Sequence, residues 1–382
     1  MDFDLNADEK ALADLCRDFA EGEIAPVAAG FSEEERCPTE ILRHMGKLGL
    51  MGLLVPEEYG GTDVSTIGFV AAMEQIGRAD QSIAAAWQAH MTIGSLPLAT
   101  FGTPEQRERW LVPLAQGEAL GSFGLTEPDA GSDAAAIRTK AERVGDHWEV
   151  TGNKMFISNA GTEMSWGTVV LARVGKGADG RERYGNFIIE RDSPGFTIGK
   201  KLRGIGWRAL DTRPLAFDGV EVPDDRVLGD PGRGLGQFLK TLEVGRISIA
   251  ALSVSLGQAV LEMALDYAKK RVQFGTPISK HQAIQFKLAD IAAEVEAARL
   301  LTYKAASLRD AGKPFGQAAA IAKMKASRVA VAAASEAVQI HGGYGYMMEQ
   351  PVARFYCDAK ILEIGEGSNE IQHLVIARSL GC

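Results

Sequence analysis

Hydrophobic residues near the start of the chain recur at the spacing of an amphipathic helix. The segment Asn6-Ala7-Asp8-Glu9 has the form of a capping box, and Leu12, Leu15, Cys16 and Phe19 follow at helical intervals. Further helical patterns cover residues 41–50, 67–77 and 104–114. The pattern predicts a helical N-terminal domain over residues 1–120.

From about Gly121 the helical pattern gives way to short β-rich runs separated by Gly, Asn, Asp and Pro. The runs are residues 147–151, 155–158, 168–174, 187–190 and 215–222. The first two flank Gly152-Asn153, a pair typical of a two-residue hairpin loop. The pattern predicts a small middle β domain over residues 121–232, with a hairpin at Gly152-Asn153.

Helical periodicity returns after the glycine-rich turn at residues 231–236. Leu256, Val260, Met263 and Tyr267 mark one face of a first helix, and a second helix follows over residues 284–295. The alanine-rich segment 317–334 favours closely packed helices. The whole pattern therefore predicts an α+β fold, with a C-terminal helical domain over residues 233–382.

Charge and composition narrow the classes of function. Lys and Arg number 41 against 50 Asp and Glu, which gives a net charge of −9 and argues against nucleic acid or an anionic membrane as partner. The start, Met1-Asp2-Phe3-Asp4, is acidic, and no apolar stretch predicts membrane insertion, so we expect a cytoplasmic protein. The four cysteines and six histidines are scattered, which predicts neither a disulfide scaffold nor a metal site.

The segment from Phe123 to Asp133 is the first candidate for chemistry. Its small residues allow close approach of the backbone, and Leu125, Thr126, Gly131 and Ser132 offer N–H and hydroxyl donors that suit an anion or the edge of a heterocycle. Taken alone, the segment is more typical of a simple turn rich in Gly, Ser and Asp.

Two later segments are candidates because of their glycines. In Gln339-Ile-His-Gly-Gly-Tyr-Gly-Tyr346 the paired glycines either cap a helix or leave room for a bulky phosphate-bearing ligand. Glu366 lies between two glycines, where its carboxylate can swing and lose water when a substrate closes over it. A lone glutamate in such a place is otherwise a solvated turn residue.

Together these segments resemble the acyl-CoA dehydrogenase family over essentially the whole chain, and the stretches at 124–136 and 339–358 match its two signatures. The resemblance implies a β-barrel-like or β-sandwich middle domain and a C-terminal four-helix bundle. It implies FAD as cofactor, an acyl-CoA substrate, an electron-transfer flavoprotein as electron acceptor and a homotetramer. The parts that resemble short-chain members imply a small acyl group, and the family's pathways are fatty acid β-oxidation and branched-chain amino acid catabolism.

The resemblance assigns two segments to the flavin ring. Residues 123–132 are similar to the loop that hydrogen-bonds the ring, with Thr126 near N1 and O2 and Ser132 near the thioester arm of CoA. Residues 156–158 are similar to the strand on the other flank, where Phe156 covers the ring and Ser158 donates to N5. The ring contacts implied are Phe123, Leu125, Thr126, Gly131, Ser132, Phe156, Ile157 and Ser158.

The rest of FAD is assigned to the C-terminal part. Arg271, Phe274 and Gln282 are similar to the segment that reaches the pyrophosphate of a neighbouring subunit's FAD, since a planar guanidinium suits a diphosphate. Without the resemblance, Arg271 would be a solvated cation at a helix end. The remaining FAD contacts implied are Gln339, Gly342, Gly343, Ser368 and Glu370.

The resemblance makes Glu366 the catalytic base, which takes the α-proton while hydride passes from Cβ to flavin N5. Burial is expected to raise the pKa of its carboxyl. Isovaleryl-type members carry their base at the position of Gly245, which cannot act here. Glu243 and Arg246 are implied to contact the substrate, although their i,i+3 spacing also allows an ion pair on a solvated face. The substrate contacts implied are Ser132, Glu243, Arg246, Gly365 and Gly367.

Gly365 departs from the family's commonest pattern, which has Tyr immediately before the base. The missing ring predicts room for a methyl branch beside Cβ, unless a neighbouring side chain fills the space or Gly365 only relieves backbone strain.

Two other functions stay open: an acyl-CoA oxidase, or another flavin oxidase or monooxygenase, on the same fold, and an inactive scaffold that binds acyl-CoA or FAD. The 382-residue length favours the dehydrogenase. The joint presence of Thr126, Ser158, Arg271, Gln339 and Glu366 argues against the scaffold.

Overall fold

The computed structural model describes residues 4–382, so the first three residues of the acidic start lie outside the described part. The N-terminal part is helical, as predicted. The capping box is confirmed, because Asn6 Oδ1 accepts a hydrogen bond from Glu9 N at 2.9 Å and Glu9 Oε2 accepts one from Asn6 N at 3.0 Å. The helices are α1 Ala7–Phe19, α2 Ala28–Glu34, α3 Thr39–Lys47, α4 Thr66–Ala79, α5 Gln81–Ala89, α6 Leu96–Phe101, α7 Pro104–Gln106 and α8 Val112–Ala115.

The middle part is a mixed sheet built around two long strands. The strands are β1 Phe123–Gly124, β2 Lys140–Val144, β3 His147–Ser158, β4 Gly167–Lys176, β5 Glu182–Glu190, β6 Phe196–Ile198, β7 Thr212–Pro223 and β8 Val227–Leu228. Their order is β6-β7-β3-β2-β4-β5-β8, and β1 pairs with β4 in parallel. All five predicted runs lie within these strands.

The predicted hairpin at Gly152-Asn153 is wrong. Both residues lie inside the continuous strand β3, which pairs with β7 on either side of them, and the hairpin turn falls at Gly145-Asp146 between β2 and β3. A Cβ on Gly152 would come within 2.5 Å of Thr139 Oγ1. Glycine is therefore needed here for the close approach of another segment and not for a turn.

The C-terminal part consists of three long helices with shorter elements around them. They are α9 Gly234–Lys270, the hairpin strands β9 Val272–Gln273 and β10 Thr276–Pro277, then α10 Gln282–Asp310, α11 Gly316–His341, α12 Pro351–Ala359 and α13 Asn369–Ser379. The long helices pack on one another, and α13 packs on α11. By length and composition α9 resembles a membrane span, but 78% of its most apolar window is buried inside the protein, as in the core helix of a bundle.

The N-terminal and C-terminal helices share one hydrophobic core, in which Phe69 and Trp87 pack with Ile247 and Leu252 of α9. A second cluster joins Trp110 and neighbouring helical residues to the sheet, through β4 and β5. The helix α5 therefore lies directly against α9. This contact positions the side chains described next.

Candidate active site

Glu366 lies in the turn between a 3-10 segment at Lys360–Glu363 and α13. Its φ is 53°, a left-handed conformation that costs a residue other than glycine about 1–3 kcal/mol. The next carbonyl, Gly367 O, accepts hydrogen bonds from Lys323 Nζ at 2.9 Å and from Gln372 Nε2 at 2.8 Å. Lys323 is fully buried and also donates to Asn369 Oδ1 at 3.2 Å. The turn is thus held from the core side by α11.

The carboxyl group of Glu366 is enclosed, although the residue as a whole is half-buried. Its Oε2 is buried without a hydrogen-bond partner, and Oε1 accepts a short hydrogen bond from Gln88 Nε2. Burial raises the pKa of this carboxyl to about 7, against the opposing effects of Gln88, Arg246 and Lys323. The predicted direction is confirmed, and a carboxyl with this pKa is suited to accept a proton near neutral pH.

The carboxylate of Glu366 occupies the space next to Gly245 on α9. A Cβ built on Gly245 would stand 1.5 Å from Glu366 Oε2 and 2.6 Å from its carboxyl carbon. The two positions at which the sequence places a family base therefore converge on one point. A side chain at position 245 would displace the carboxylate from this place.

Arg246 follows Gly245 and is buried, with 7% of its surface exposed. Its Nε has no hydrogen-bond partner, and among residues 4–382 the ion pair with Glu243 that the spacing allows does not form. Burial lowers the pKa of the guanidinium, while the carboxylates of Glu243 and Glu366 raise it. The side chain of Glu243 lies against Gly316. A buried cation beside the carboxylate is thus available to a polar ligand.

The predicted flavin loop is held by the strand that follows it. Thr126 O accepts a hydrogen bond from Met155 N at 2.8 Å, so the loop and β3 form one unit. The fully buried Lys154 donates to Leu125 O at 3.0 Å and pairs with Glu127 at 2.7 Å. Burial lowers the pKa of Lys154 to about 8, against the effect of Glu127.

Phe156 breaks the regular pattern of β3. The pairing with β7 shifts between Lys154 and Ile157, and Phe156 has a left-handed φ of 62° and is 64% exposed. Bulges of this kind re-aim a side chain, and they are frequent next to active sites. The ring is therefore available to cover a flat ligand, as the resemblance implies.

The other residues predicted for the flavin site differ from Phe156 in exposure, since some side chains are buried in the core and others lie on the loop surface. The side chains of Phe123 and Ile157 are buried in the protein core, where Phe123 stacks on Phe238, so these side chains are not free to contact a flavin. Gly131 and Ser132 are exposed on the loop, and Ser158 is half-buried at the end of β3.

A second site lies at the far end of α9, in a cleft of about 620 Å³ lined by Arg271, Phe274, Gly342, Gly343 and Tyr344, among others. The guanidinium of Arg271 stands 5.8 Å from the centre of the Tyr344 ring. Phe274 and Gly275 form the tip of the β9–β10 hairpin with positive φ values, and Phe274 is 97% exposed.

No residue of the flavin loop or of segment 156–158 lines this cleft. Two further residues predicted to bind FAD, Gln282 and Gln339, are exposed and do not line the cleft either. Ser368 is half-buried and hydrogen-bonds to the exposed Glu370.

Three family models match the chain in succession. Acyl-CoA dehydrogenase, N-terminal domain, matches residues 6–118, the middle domain matches residues 122–220, and the C-terminal domain matches residues 232–381. The chain belongs to the acyl-CoA dehydrogenase family.

Individual members of the family are similar over the full length. A probable acyl-CoA dehydrogenase of Bacillus subtilis (strain 168) is 47% identical over 380 residues, which is 100% of both chains. The structure of butyryl-CoA dehydrogenase from Megasphaera elsdenii matches with a TM-score of 0.96 at 40% identity and 100% coverage of both chains. An acyl-CoA dehydrogenase complexed with FAD, from Bacillus anthracis, matches with a TM-score of 0.92 at 31% identity, over 99% of this chain and 68% of that one.

These matches confirm the predicted family, the fold class, the enzyme class and FAD as cofactor. The residues present fit such a cofactor. A Cβ on Gly342 or Gly343 would meet no atom within 4 Å, so these glycines border open space beside the Arg271 guanidinium. The exposed Phe156 offers a flat apolar surface for the ring system.

Sequence reasoning missed the buried groups that surround the acyl-CoA dehydrogenase site. Gln88 and Lys323 each interrupt a run of apolar residues, Ala84-Ala-Ala-Trp-Gln88 and Ala319-Ala-Ile-Ala-Lys323, and this interruption is the only signal in the sequence. The Lys154–Glu127 pair joins residues 27 apart in the chain and leaves no local pattern.

Proposed function

We propose that this enzyme removes the α and β hydrogens of a short acyl-CoA, with Glu366 as the base. The observation that carries the proposal is the buried, unpaired Oε2 of Glu366, on a carboxyl whose pKa burial raises to about 7. Burial makes a carboxylate a stronger base, because the neutral form that results from proton transfer is favoured in an enclosed site.

In the proposed reaction Glu366 takes the α-proton of the bound thioester. Its backbone N–H is proposed to donate to the thioester oxygen and so to stabilise the developing negative charge. When bound, FAD supplies the acceptor for the hydride that leaves Cβ. Arg246, buried on the same side as the base and without an ion-pair partner, is proposed to contact the polar part of the substrate with Glu243 and Ser132.

The acyl group is proposed to be small, either straight or branched. The likeness to a butyryl-CoA dehydrogenase supports a short chain. The surroundings of Gly365 support room for a branch, because a Cβ there would meet only Ile361 O, at 3.4 Å, within 4 Å. We therefore propose that isobutyryl-, 2-methylbutyryl- or isovaleryl-CoA is accepted alongside butyryl-CoA. This would place the enzyme in β-oxidation or in branched-chain amino acid catabolism.

The remaining FAD contacts are proposed to come from two subunits. Arg271 and Phe274 border a cleft that includes no flavin-loop residue, which supports contact with the cofactor of a neighbouring subunit. Several large apolar side chains near this cleft are exposed, as expected for a surface covered by a partner chain. They are Val272, Phe274, Tyr344, Tyr346, Met347 and Met348.

We further propose a homotetramer whose domains follow the predicted boundaries at residues 120 and 232. An electron-transfer flavoprotein is the proposed electron acceptor, and the cytoplasm the proposed location.

Anaerobic titration of the purified holoenzyme tests the function directly. A panel of butyryl-, isobutyryl-, 2-methylbutyryl-, isovaleryl- and octanoyl-CoA is added, and the flavin absorbance near 450 nm is followed. We expect rapid bleaching by the short thioesters and slow return of the colour when oxygen is admitted. Fast return of the colour with formation of hydrogen peroxide would indicate an oxidase. A protein that stays colourless after reconstitution with FAD would indicate a scaffold.

A further inference from the structure

Gln88, at the end of α5, is the one side chain among residues 4–382 that hydrogen-bonds to the Glu366 carboxylate. It is buried, with 3% of its surface exposed. Its amide nitrogen Nε2 lies within hydrogen-bond distance of three oxygens. These are Thr92 Oγ1 at 2.8 Å, Ser248 Oγ at 2.8 Å and Glu366 Oε1.

A carboxamide has only two N–H groups, so Nε2 cannot donate to all three oxygens at once. An amide nitrogen cannot accept a hydrogen bond, and the two hydroxyl protons are directed elsewhere. Thr92 donates to Gln88 O at 2.9 Å and Ser248 donates to Gly245 O at 2.7 Å. Both therefore present lone pairs to Nε2. The network has one acceptor too many while the carboxylate is present, and is balanced once the carboxylate turns away.

The helix is irregular where this network forms. Immediately after α5 the chain continues as a π-helical segment, His90–Ser95, which carries Thr92 toward the amide. Single π-helical turns inserted in helices occur frequently at functional sites. The hydrogen bond between Gln88 and Ser248 joins α5 to α9 next to Glu366, the proposed base.

We propose that Gln88 is a positioning residue for Glu366, which holds the ionised carboxylate beside Gly245 in the free enzyme and releases it when acyl-CoA binds. Release of the carboxylate costs little free energy, because Thr92 and Ser248 accept hydrogen bonds from both N–H groups of the amide. This inference rests on the proposed role of Glu366 as the base.

The test is the pH dependence of the second-order rate constant for flavin reduction, measured with sub-saturating butyryl-CoA in single-turnover, anaerobic stopped flow. This rate constant reports the pKa of Glu366 in the free enzyme, where Gln88 still holds the carboxylate. Glu366 must be ionised to act, so the wild-type rate should rise with pH through about 7 and then level off. Gln88→Leu removes the donor that lowers the pKa of Glu366, and its profile should move to higher pH by about one unit or more. At pH 7 its rate should fall about fivefold or more, with a smaller loss on the plateau.

Gln88→Glu is the second variant, and it keeps the test informative if the leucine variant fails to fold. A carboxylate at this position faces that of Glu366, and repulsion between like charges should move the profile at least as far as in Gln88→Leu. Two other charged side chains influence the pKa of Glu366, namely Arg246 on α9 and Lys323 on α11. Burial lowers the pKa of Lys323 to about 8. Neither residue changes in these variants, so their contributions to the profile are constant.

Gln81→Leu is the matched control. Gln81 is a buried amide on the same helix and donates to Gly77 O at 2.8 Å and to Ser255 Oγ on α9 at 3.0 Å, seven residues after Ser248. Its loss should lower the melting temperature as much as the loss of Gln88, without shifting the profile.

Unshifted profiles in folded Gln88→Leu and Gln88→Glu would overturn the inference and leave the function of Glu366 intact. A wild-type reduction rate in Glu366→Gln would instead overturn the proposed function itself.

Discussion

Two glycines control the space around the Glu366 side chain. A Cβ at Gly245 would overlap the carboxylate, at 1.5 Å from Oε2, whereas a Cβ at Gly365 meets only one backbone oxygen, at 3.4 Å. The backbone of Gly365 does not have the positive φ that excludes side chains. A side chain at the first position therefore forces the Glu366 carboxylate to move, whereas the second position accepts a side chain.

Gly365→Tyr is predicted to remove activity on branched acyl-CoAs selectively. The ring would fill the space that we assign to a methyl branch, and a change of this size in an apolar pocket is worth about 1–3 kcal/mol. The ratio of kcat/KM for isobutyryl-CoA to that for butyryl-CoA should fall by about tenfold or more. Gly365→Ala should leave the ratio close to that of the wild type.

Two results would contradict the open-pocket proposal. One is a wild type that strongly rejects all three branched thioesters. The other is an equal loss of kcat/KM for straight and branched substrates in Gly365→Tyr.

At this scale the sequence located the proposed base through its family resemblance, and Glu366 is found against Gly245 as the family's two base positions require. The sequence left open whether Arg246 forms an i,i+3 ion pair, and the structure decides against it. Gln88 could not be predicted, because its importance depends on α5 packing against α9, a contact between residues 160 apart.

At the scale of elements, the turn that carries Glu366 depends on α11. Lys323 reaches from the middle of that helix to Gly367 O and Asn369 Oδ1, on either side of the start of α13. Its positive charge also opposes the rise in the pKa of Glu366. The left-handed backbone of the base is therefore stabilised by a neighbouring helix as well as by Gln372 of α13.

Lys323→Met is predicted to keep FAD bound but to slow flavin reduction about tenfold or more. Methionine is also long and unbranched, but it cannot donate to Gly367 O, so the turn loses one of its two donors. Loss of a hydrogen bond to a charged group costs about 1.5–3 kcal/mol, although removal of a buried charge offsets part of this cost. Single-turnover reduction and thermal unfolding measure the two effects separately.

Lys325→Met is the control for this prediction. Lys325 lies on the same helix but pairs with Glu294 at the surface, and such pairs contribute about 0–1 kcal/mol. A reduction rate in Lys323→Met equal to that of this control would show that the turn does not need its anchor.

The strands of the middle part show which structural features a local sequence pattern predicts and which it does not. Each predicted β run lies inside a real strand, because alternation and β-branched residues report burial on a sheet. The hairpin prediction at Gly152-Asn153 was wrong because Gly152 is required by the close approach of Thr139, thirteen positions earlier in the chain. The residue preferences of turns depend only on neighbouring positions, so they do not report such a contact.

For the whole molecule, the α–β–α order follows from the sequence pattern, while the way in which the parts join does not. The helical parts share one core, and the ion pair between the buried Glu74 and the half-buried Arg299, at 3.0 Å, connects α4 to α10. Such long-range contacts depend on the tertiary fold. The same is true of the Arg271 cleft, which combines a hairpin with the end of α11, 70 residues later in the chain.

Arg271→Ala is predicted to weaken FAD retention and subunit association together. If the cofactor is bound between subunits, it stabilises the assembled form by mass action, so loss of the guanidinium acts on both equilibria. We expect the FAD dissociation constant to rise about tenfold or more and the tetramer to dissociate at higher protein concentration. Fluorescence titration and analytical ultracentrifugation measure the two quantities.

Lys270→Ala supplies the comparison, because Lys270 adjoins Arg271 but pairs with Asp266 on the exposed face of α9. If Arg271→Ala binds FAD as tightly as this control, Arg271 is a surface cation and the two-subunit site is wrong.

The central claim is that Glu366 takes the substrate's α-proton, and single-turnover reduction of the Glu366→Gln holoenzyme tests it most directly. Glutamine preserves the shape and the contact with Gln88 but cannot accept the proton. We expect normal FAD content and a flavin reduction rate by butyryl-CoA that falls by at least the ~10²–10⁴-fold typical of a general base. Reduction at a rate close to that of the wild type would contradict the account.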